Sequence, residues 1–381
     1  MVKKVIFIAG TKFGLRDYKR FGIEIIESRG YEVELWDFIS WIKPNYYKKY
    51  RLPDPIDFDN IKIFTSRQET IKQLTSLNNE NIVIDIFRII ELNKLKLSDN
   101  VLIGTINLAK IPQLYTNKPL SASKLLFSNP LKLVNKITNY INRLMLNNFS
   151  YNFLITDGKR SESIHKEKSF KKSKIINAHS FDYDSFLKEN KKPKNKILDY
   201  NYAVFLDEAI FSHPDLDYLD IESAGKIEEV YYQELSNYFD KFEKEHNLEV
   251  IISLHPRLKK HDKFGKRKVY ESNSINLVRN SNIVLLHAST SISFAILFYK
   301  PIVFLDSNNF NKDFSNTIKT MSNSIKVEPI NISTKYSSSA SYFKFNKENY
   351  DIYKSNYIKK SNTQEKLLWE IFCDYLDTLN V

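Results

Sequence analysis

The chain has 381 residues, 42% hydrophobic and 27% charged, which predicts a folded protein of two or three domains and excludes a disordered one. Its 57 Lys and Arg residues outnumber 45 Asp and Glu, giving a formal net charge of +12. No apolar run reaches the roughly 20 residues that span a bilayer, residues 5–9 are too few for a signal-peptide core, and the single cysteine excludes an intrachain disulfide framework. We therefore expect a cytoplasmic protein.

The first half of the chain alternates between strand and helix patterns. Residues 5–9 are a continuous apolar run, typical of a strand buried on both faces. A loop at 10–14, a helix over 18–29 with Gly30 at its C-cap, and a strand at 31–35 complete a βαβ unit. Further strands are predicted at 82–86, 101–106, 153–156 and, directly before His179, at 175–178. Gly10 and Gly14 lack the full dinucleotide-binding fingerprint, which disfavours a nicotinamide cofactor.

The stretch 100–156 has no acidic residue and contains apolar residues at helical spacing, Val134, Ile137, Ile141, Leu144 and Met145. Two interpretations stay open. A basic amphipathic helix can lie on the anionic inner face of a bacterial plasma membrane. Alternatively, a core helix simply has a basic polar face.

A lysine-rich segment at 188–196 is the predicted linker between two domains. The N-terminal domain then covers 1–187, a second domain covers 197–360, and a C-terminal helix lies within 361–381. Strands at 202–206, 249–254, 283–286 and 301–305 and a helix at 227–245 repeat the α/β pattern. The final helix is predicted over 363–376, with Asn362 and Glu365 forming a capping box. The fold class is α/β, with two Rossmann-like domains facing a cleft.

Polar residues follow three apolar strands of the second domain, where ligands bind in open α/β sheets. The predicted donor-binding residues are His255, Pro256, Arg257, Ser289, Thr290 and Ser291. Hydroxyls at a helix start can bind phosphate, and a histidine near a phosphate can donate a hydrogen bond or a proton. The alternatives are ordinary N-capping for the hydroxyls, a turn role for the histidine and a solvated surface position for the arginine.

The predicted catalytic residues are Asp207, Glu208 and His255. Either acid could remove the proton of an acceptor hydroxyl, or both could cap the segment that follows them. Weaker candidates are Lys12 and Asp157 across the cleft and His179 at the hinge. The dipeptide His213-Pro214 lies in a polar loop and is interpreted mainly as a turn.

In this order, Asp207-Glu208, His255-Pro256 and Ser289-Thr290 resemble the paired-acid, HP and SS or ST motifs of bacterial sialyltransferases and polysialyltransferases. The matching residues span about 85 positions of the second domain. The glycine that follows the acid pair in some members is Ala209 here, a departure that weakens the assignment of the base.

The resemblance implies a GT-B glycosyltransferase that uses a CMP-activated nonulosonate: sialic, legionaminic or pseudaminic acid, or the related Kdo. His255 and Ser289 to Ser291 would hold the CMP phosphate, and an acid would activate the acceptor hydroxyl of a glycan or lipid-linked glycan, with inversion. The resemblance implies no metal and no other cofactor.

Three alternatives remain. A CDP-glycerol-type polyol-phosphate transferase would need a second functional histidine, for which His287 or His179 could serve. A nucleotide-sugar epimerase would have more paired acids in its cleft. A basic nucleic-acid-binding protein fits the charge, but the sequence has no recognised nucleic-acid motif, so we expect no nucleic-acid partner.

Overall fold

The computed structural model describes residues 1–52, 54–112, 149–193, 196–213, 216, 218, 222–258, 262–271, 273–334 and 343–380. The amphipathic segment predicted at 134–145 lies outside these ranges. Within them, no helix combines the length and the apolar character needed to cross a membrane.

The first domain is built on a parallel sheet in the order β3-β2-β1-β4-β5-β6-β7. Its strands are β1 Lys4–Ala9, β2 Glu32–Asp37, β3 Ile61–Ile63, β4 Asn81–Asp85, β5 Leu102–Asn107, β6 Phe153–Thr156 and β7 Lys174–Asn177. The central strands β1 and β4 are apolar between their ends because helices cover both faces of the sheet. The predicted parallel sheet is confirmed, with strand ends shifted by at most two residues at the six predicted positions.

Short helices connect these strands. They are α1 Leu15–Arg20, α2 Ile23–Ser28, α3 Ile39–Ile42, α4 Pro44–Lys49, α5 Arg67–Ser76 and α6 Ile89–Leu92, with 3-10 turns at Ser161–Lys166 and Lys168–Phe170. The single helix predicted over 18–29 is wrong. The chain forms α1 and α2 instead, because Gly22 adopts a φ of 58° and interrupts the helix.

The second domain repeats the same topology, with a parallel sheet in the order β10-β9-β8-β11-β12-β13. Its strands are β8 Tyr202–Leu206, β9 Glu249–Ser253, β10 Val269–Tyr270, β11 Ile283–Leu286, β12 Ile302–Asp306 and β13 Ile330–Asn331. Its helices are α7 Phe181–Asn190, α8 Glu228–His246, α9 Ser274–Asn280, α10 Ile292–Leu297, α11 Lys312–Ser324 and α12 Lys347–Tyr353, continued by a π-helical turn at Lys354–Ile358. The fold class predicted from the sequence is confirmed by these two sheets.

Two crossings join the domains, and they lie side by side. His179 and Lys359 form an antiparallel bridge, and the N–H of Ser180 donates to the carbonyl of Ile358 at 2.8 Å. After the first crossing, α7 packs on the core of the second domain through Tyr183. Residues 188–190, predicted as the start of the linker, are the last turn of that helix.

After the second crossing, the chain returns to the first domain as α13, Leu368–Leu379. Its apolar face packs on the first sheet, with Trp369 and Phe372 fully buried. The predicted start at 363 with Asn362 as cap is wrong. Glu370 instead accepts the N–H of Leu367 at 2.7 Å, because the buried residues of the helix begin only at Leu368.

Candidate functional site

The three polar clusters predicted in the second domain meet at one edge of its sheet. The strand order reverses between β8 and β11, which are hydrogen-bonded neighbours, and β9 lies on the other side of β8. The loops that leave the carboxyl ends of these three strands therefore open into one crevice, the usual ligand position in a doubly wound sheet.

Glu208 positions the loop that follows β11. Its Oε1 accepts the backbone N–H groups of His287 at 2.9 Å and Ala288 at 2.8 Å, and its Oε2 accepts Ala288 again at 3.1 Å. Burial raises the pKa of Glu208 to about 8, because the desolvation of the carboxylate outweighs the effect of these bonds. The contacts fix the start of the segment that carries Ser289.

Asp207 positions the His-Pro turn in a similar way. Its Oδ2 accepts the N–H of His255 at 3.2 Å, and its Oδ1 accepts the N–H of Ala209 at 3.3 Å. Ala209 has a φ of 54°, in the left-handed region that favours glycine. The backbone at this position therefore explains why a glycine suits the residue after the acid pair, and why alanine is strained there.

His255 is a neutral hydrogen-bond donor in this geometry. Its Nδ1 accepts the backbone N–H of Arg257 at 3.3 Å, which assigns the proton of the neutral ring to Nε2. Burial, followed by the positive potential of His213, Arg257 and Arg16, lowers the pKa of His255 to about 3. At neutral pH the ring can donate to an anion through Nε2 without carrying a charge. The neighbouring Pro256 is exposed.

His213 lies beside His255, although its place in a polar loop predicts mainly a turn. Its ring centroid lies 4.6 Å from that of His255, with the ring planes at 64°. Its segment also reaches the first domain, where the ring of Tyr218 lies 5.2 Å from that of Tyr46. The repeated His-Pro dipeptide is the signal in the sequence that could have identified this residue.

Of the three consecutive hydroxyl residues before α10, Thr290 has the exposed side chain, while Ser289 and Ser291 are half-buried. The hydroxyl of Ser289 accepts the N–H of Ser291 at 3.2 Å. The carbonyl of Thr290 accepts the hydroxyl of Ser293 at 3.0 Å. The hydroxyl of Thr290 is therefore the one most open to a ligand.

The two histidines named for a polyol-phosphate transferase are both buried away from the crevice. His287 donates from Nδ1 to the carbonyl of Leu305 at 2.6 Å and accepts the hydroxyl of Tyr231 on Nε2 at 3.0 Å. His179 lies at the crossing, with Nε2 at 2.8 Å from the carbonyl of Lys366. Both side chains are fully enclosed, so neither is a candidate for contact with substrate.

Lys12 and Asp157 follow strands of the first domain, as predicted. Lys12 donates to the carbonyl of Tyr50 at 2.9 Å and lies 4.3 Å from the ring centroid of Tyr47. Asp157 is fully buried and accepts the N–H groups of Ala109 and Gly158, each at 2.6 Å. Burial raises the pKa of Asp157 to about 6, and its contacts give it a role in holding loops together.

Two arginines of α1, Arg16 and Arg20, were not among the residues predicted from the sequence. Burial is the main cause that lowers the pKa of both guanidinium groups, and the positive charge of Arg257 lowers it further, so the three cations are close enough to repel one another. Their signal in the sequence is their position, four residues apart on the helix that directly follows β1 and its loop.

Among the described residues, no three His, Cys, Asp or Glu side chains are grouped closely enough to hold a metal ion. The expectation that the protein works without a metal stays a prediction.

Comparisons with known proteins found similar structures but no match by sequence. No family model and no curated protein matches the chain. The fold is similar to the S. aureus MnaA–UDP structure, at 11% identity over 100% of this chain and 97% of that one, with a TM-score of 0.47. It is also similar to UDP-GlcNAc 2-epimerase from Methanocaldococcus jannaschii, at 12% identity over 98% and 99% of the chains, with a TM-score of 0.45.

A third similar structure is a histidine-to-asparagine variant of the wall teichoic acid polymerase TagF. It has 12% identity, coverage of 100% of this chain and 90% of that one, and a TM-score of 0.49. At these identities and TM-scores, the likenesses assign neither a family nor an activity to this chain.

Proposed function

We propose that the protein transfers a nonulosonic acid, of the sialic, legionaminic, pseudaminic or Kdo type, from a CMP-activated donor to a hydroxyl of a surface glycan. One observation carries the proposal: Asp207 and Glu208 hydrogen-bond to the loops that hold the other two motifs. The three short motifs that resemble those of sialyltransferases therefore belong to one site.

In this proposal the second domain stabilises the leaving CMP. The acceptor oxygen bonds to the anomeric carbon while the bond from that carbon to the phosphate oxygen breaks, so negative charge grows on the phosphate. The Nε2–H of His255, the cation of Arg257 and the hydroxyl of Thr290 are the donors proposed to meet that charge. Fixed donors aimed at developing charge are the usual source of a large rate enhancement.

The acceptor hydroxyl must also lose its proton, and Asp207 and Glu208 remain the predicted bases. Each acid already accepts backbone N–H groups, those of His287 and Ala288 for Glu208 and those of His255 and Ala209 for Asp207, so these bonds favour neither as the base. Either acid would then combine two tasks, holding a loop of the site and receiving the proton. Inversion at the anomeric carbon is part of the proposal.

A polyol-phosphate transferase that uses a CDP-activated donor is the second candidate, and the adjacent rings of His213 and His255 favour it. A pair of histidines suits phosphoryl transfer, because one ring can donate to the phosphate while the other takes the proton of the attacking hydroxyl. In this chain the second histidine would be His213, not His287 or His179.

Thermal unfolding with CMP, CDP, UDP and GDP, without metal, tests the proposal first. A ligand at 100 times its dissociation constant adds about 2.7 kcal/mol to the free energy of unfolding. We expect CMP to stabilise the protein more than UDP or GDP. The shift should disappear in His255→Ala and return in part in His255→Gln, whose amide can still donate a hydrogen bond.

Turnover of CMP-N-acetylneuraminate and of CDP-glycerol then separates the two candidates. Release of CMP from the first donor supports the sialyltransferase-like activity, whereas release from the second supports the polyol-phosphate transferase. A larger shift in unfolding temperature with UDP would favour the epimerase alternative. If none of the four nucleotides stabilises the protein, the result contradicts a nucleotide-dependent enzyme.

A further inference from the structure

The helix α1 carries two arginines that the proposed transfer reaction does not use. Arg16 and Arg20 are four residues apart and so lie on the same side of the helix. The position of α1 is fixed at both ends. The N–H of Arg16 donates to Asp54 at 2.7 Å, and the carbonyl of Arg20 accepts the indole N–H of Trp369 at 2.7 Å.

Neither guanidinium group hydrogen-bonds or forms an ion pair with any residue that the structure describes. The Nε of Arg20 is buried and has no partner there, and its guanidinium carbon lies 4.1 Å from the ring centroid of Phe181. A buried donor without an acceptor is unfavourable, and more so when it carries a charge. Natural proteins keep such groups mainly where something else supplies the acceptor.

The electrostatic surroundings of Arg20 also favour the binding of an anion. Burial, followed by repulsion from Arg16, lowers the pKa of Arg20 to about 10, and Arg257 of the second domain adds to that repulsion. Asp182 is the carboxylate with the strongest attraction for Arg20, but burial raises its pKa to about 6 and its side chain also bonds to Ser293. Asp17 and Asp54 attract Arg16, and Asp182 and Asp17 attract Arg20, but burial and the mutual repulsion with Arg257 outweigh these attractions.

We propose that Arg16 and Arg20 bind a second oxyanion of the substrates, separate from the CMP phosphate at His255, and that this anion links the first domain to Arg257 of the second. Planar guanidinium groups match carboxylate and phosphate geometry, with two parallel hydrogen bonds to one group. The anion-binding site is inferred from the arginine side chains themselves. Its assignment to a substrate group rests on the proposed function.

Two sources can supply an oxyanion of this chemistry. A nonulosonate donor carries a carboxylate on its anomeric carbon, and a lipid-linked glycan acceptor carries a phosphate. Calorimetric titrations with CMP, CMP-N-acetylneuraminate and pyrophosphate, the last with and without saturating CMP, distinguish the two.

The variants are Arg16→Gln and Arg20→Gln, with Lys19→Gln as the matched control on the exposed side of the same helix. If the anion is the donor carboxylate, each arginine variant weakens CMP-N-acetylneuraminate binding at least about tenfold and changes CMP binding less than about threefold. If it is a phosphate, the same loss appears for pyrophosphate in the presence of CMP. Lys19→Gln should change neither affinity.

The unfolding temperature of the ligand-free protein supplies the second readout. Removing an unpartnered charge should leave that temperature unchanged or raise it, whereas removing a structural contact would lower it. Arginine variants that are destabilised and keep both anion affinities would overturn the inference. If CMP does not bind the wild-type protein, the proposed function fails, while the pyrophosphate titration still tests the arginines.

Discussion

At the scale of single residues, the polar atoms in and around this site differ mainly in whether they already have hydrogen-bond partners within the protein. The carboxylates of Asp207 and Glu208 accept backbone N–H groups, and both ring nitrogens of His287 have partners inside the core. The guanidinium groups of Arg16 and Arg20 have none among the described residues. Satisfied groups hold the loops in place, and unsatisfied groups are the ones available to a ligand.

The buried imidazole of His287 predicts how stability depends on pH. Burial lowers its pKa to about 4 in the folded protein, against an ordinary value of 6.5. Between these values the unfolded chain binds a proton that the folded chain does not, so the stabilisation is complete above pH 6.5 and decreases as the pH falls toward 4. From pH 7.5 to pH 5 this group should remove about 2 kcal/mol from the free energy of unfolding.

Urea unfolding of the wild type and of His287→Gln across that range measures the effect. Glutamine can keep one donor and one acceptor but does not titrate, so the variant should lose less stability on acidification than the wild type. Equal losses would mean that the folded imidazole titrates near its ordinary value.

At the scale of elements, the break between α1 and α2 determines where the two arginines lie. Gly22 adopts a φ of 58°, and a Cβ at this position would come within 2.3 Å of the Trp369 ring. The close approach of Trp369 is also what lets its indole N–H reach the carbonyl of Arg20. The end of α1 is therefore held by the C-terminal helix, which is remote from it in the sequence.

Gly22→Ala should destabilise the protein more than Gly30→Ala, which is a matched control. Both glycines have a positive φ, 58° and 86°, so both substitutions strain the backbone by roughly 1–2 kcal/mol. A Cβ at Gly30 meets nothing within 4 Å, so the steric clash is confined to Gly22. We expect a further 1–3 kcal/mol from that clash.

Denaturant unfolding of both single variants, and of each in the Trp369→Ala background, provides the measurement. The additional loss of stability at Gly22, relative to Gly30, should become smaller once the indole is removed. Equal effects of the two alanines in the wild-type background would argue against the contact.

At the scale of the whole molecule, backbone contacts beside the crossings help to set the relative position of the two domains. Gly158, after β6, lies against the π-helical turn of the second domain, and a Cβ there would come within 2.2 Å of the carbonyl oxygen of Asn356. The N–H of Lys159 donates to the carbonyl of Ser355 at 3.0 Å next to it. The obstacle is backbone, which cannot move aside as a flexible side chain can.

Gly158→Ala should therefore separate the domains locally and cost roughly 1–3 kcal/mol of stability. Small-angle scattering should show a larger radius of gyration, and donor binding should weaken if both domains contact the donor. Lys159→Ala is the control, because its exposed side chain can be removed without altering the backbone contact. An unchanged radius and stability in Gly158→Ala would mean that this contact does not set the domain arrangement.

The sequence alone determined the two parallel sheets and the three motif clusters at the edge of the second one. Apolar runs such as 202–206 and 283–286 can be buried only as central strands, and the chain direction then decides at which edge the following residues lie. Short apolar runs are a local signal, so the strands can be predicted from the sequence without knowledge of the rest of the fold.

Only the tertiary structure decided which polar groups have hydrogen-bond partners within the protein and which do not. Nothing local distinguishes Glu208, whose oxygens meet the loop after β11, from an acid that faces solvent. Likewise, the ring of His213 meets that of His255 from 42 positions away, and the charge of Arg257 acts on Arg16 although the two residues belong to different domains. Hydrogen-bond partners and electrostatic neighbours depend on distances between segments remote in sequence, and those distances exist only once both sheets are packed.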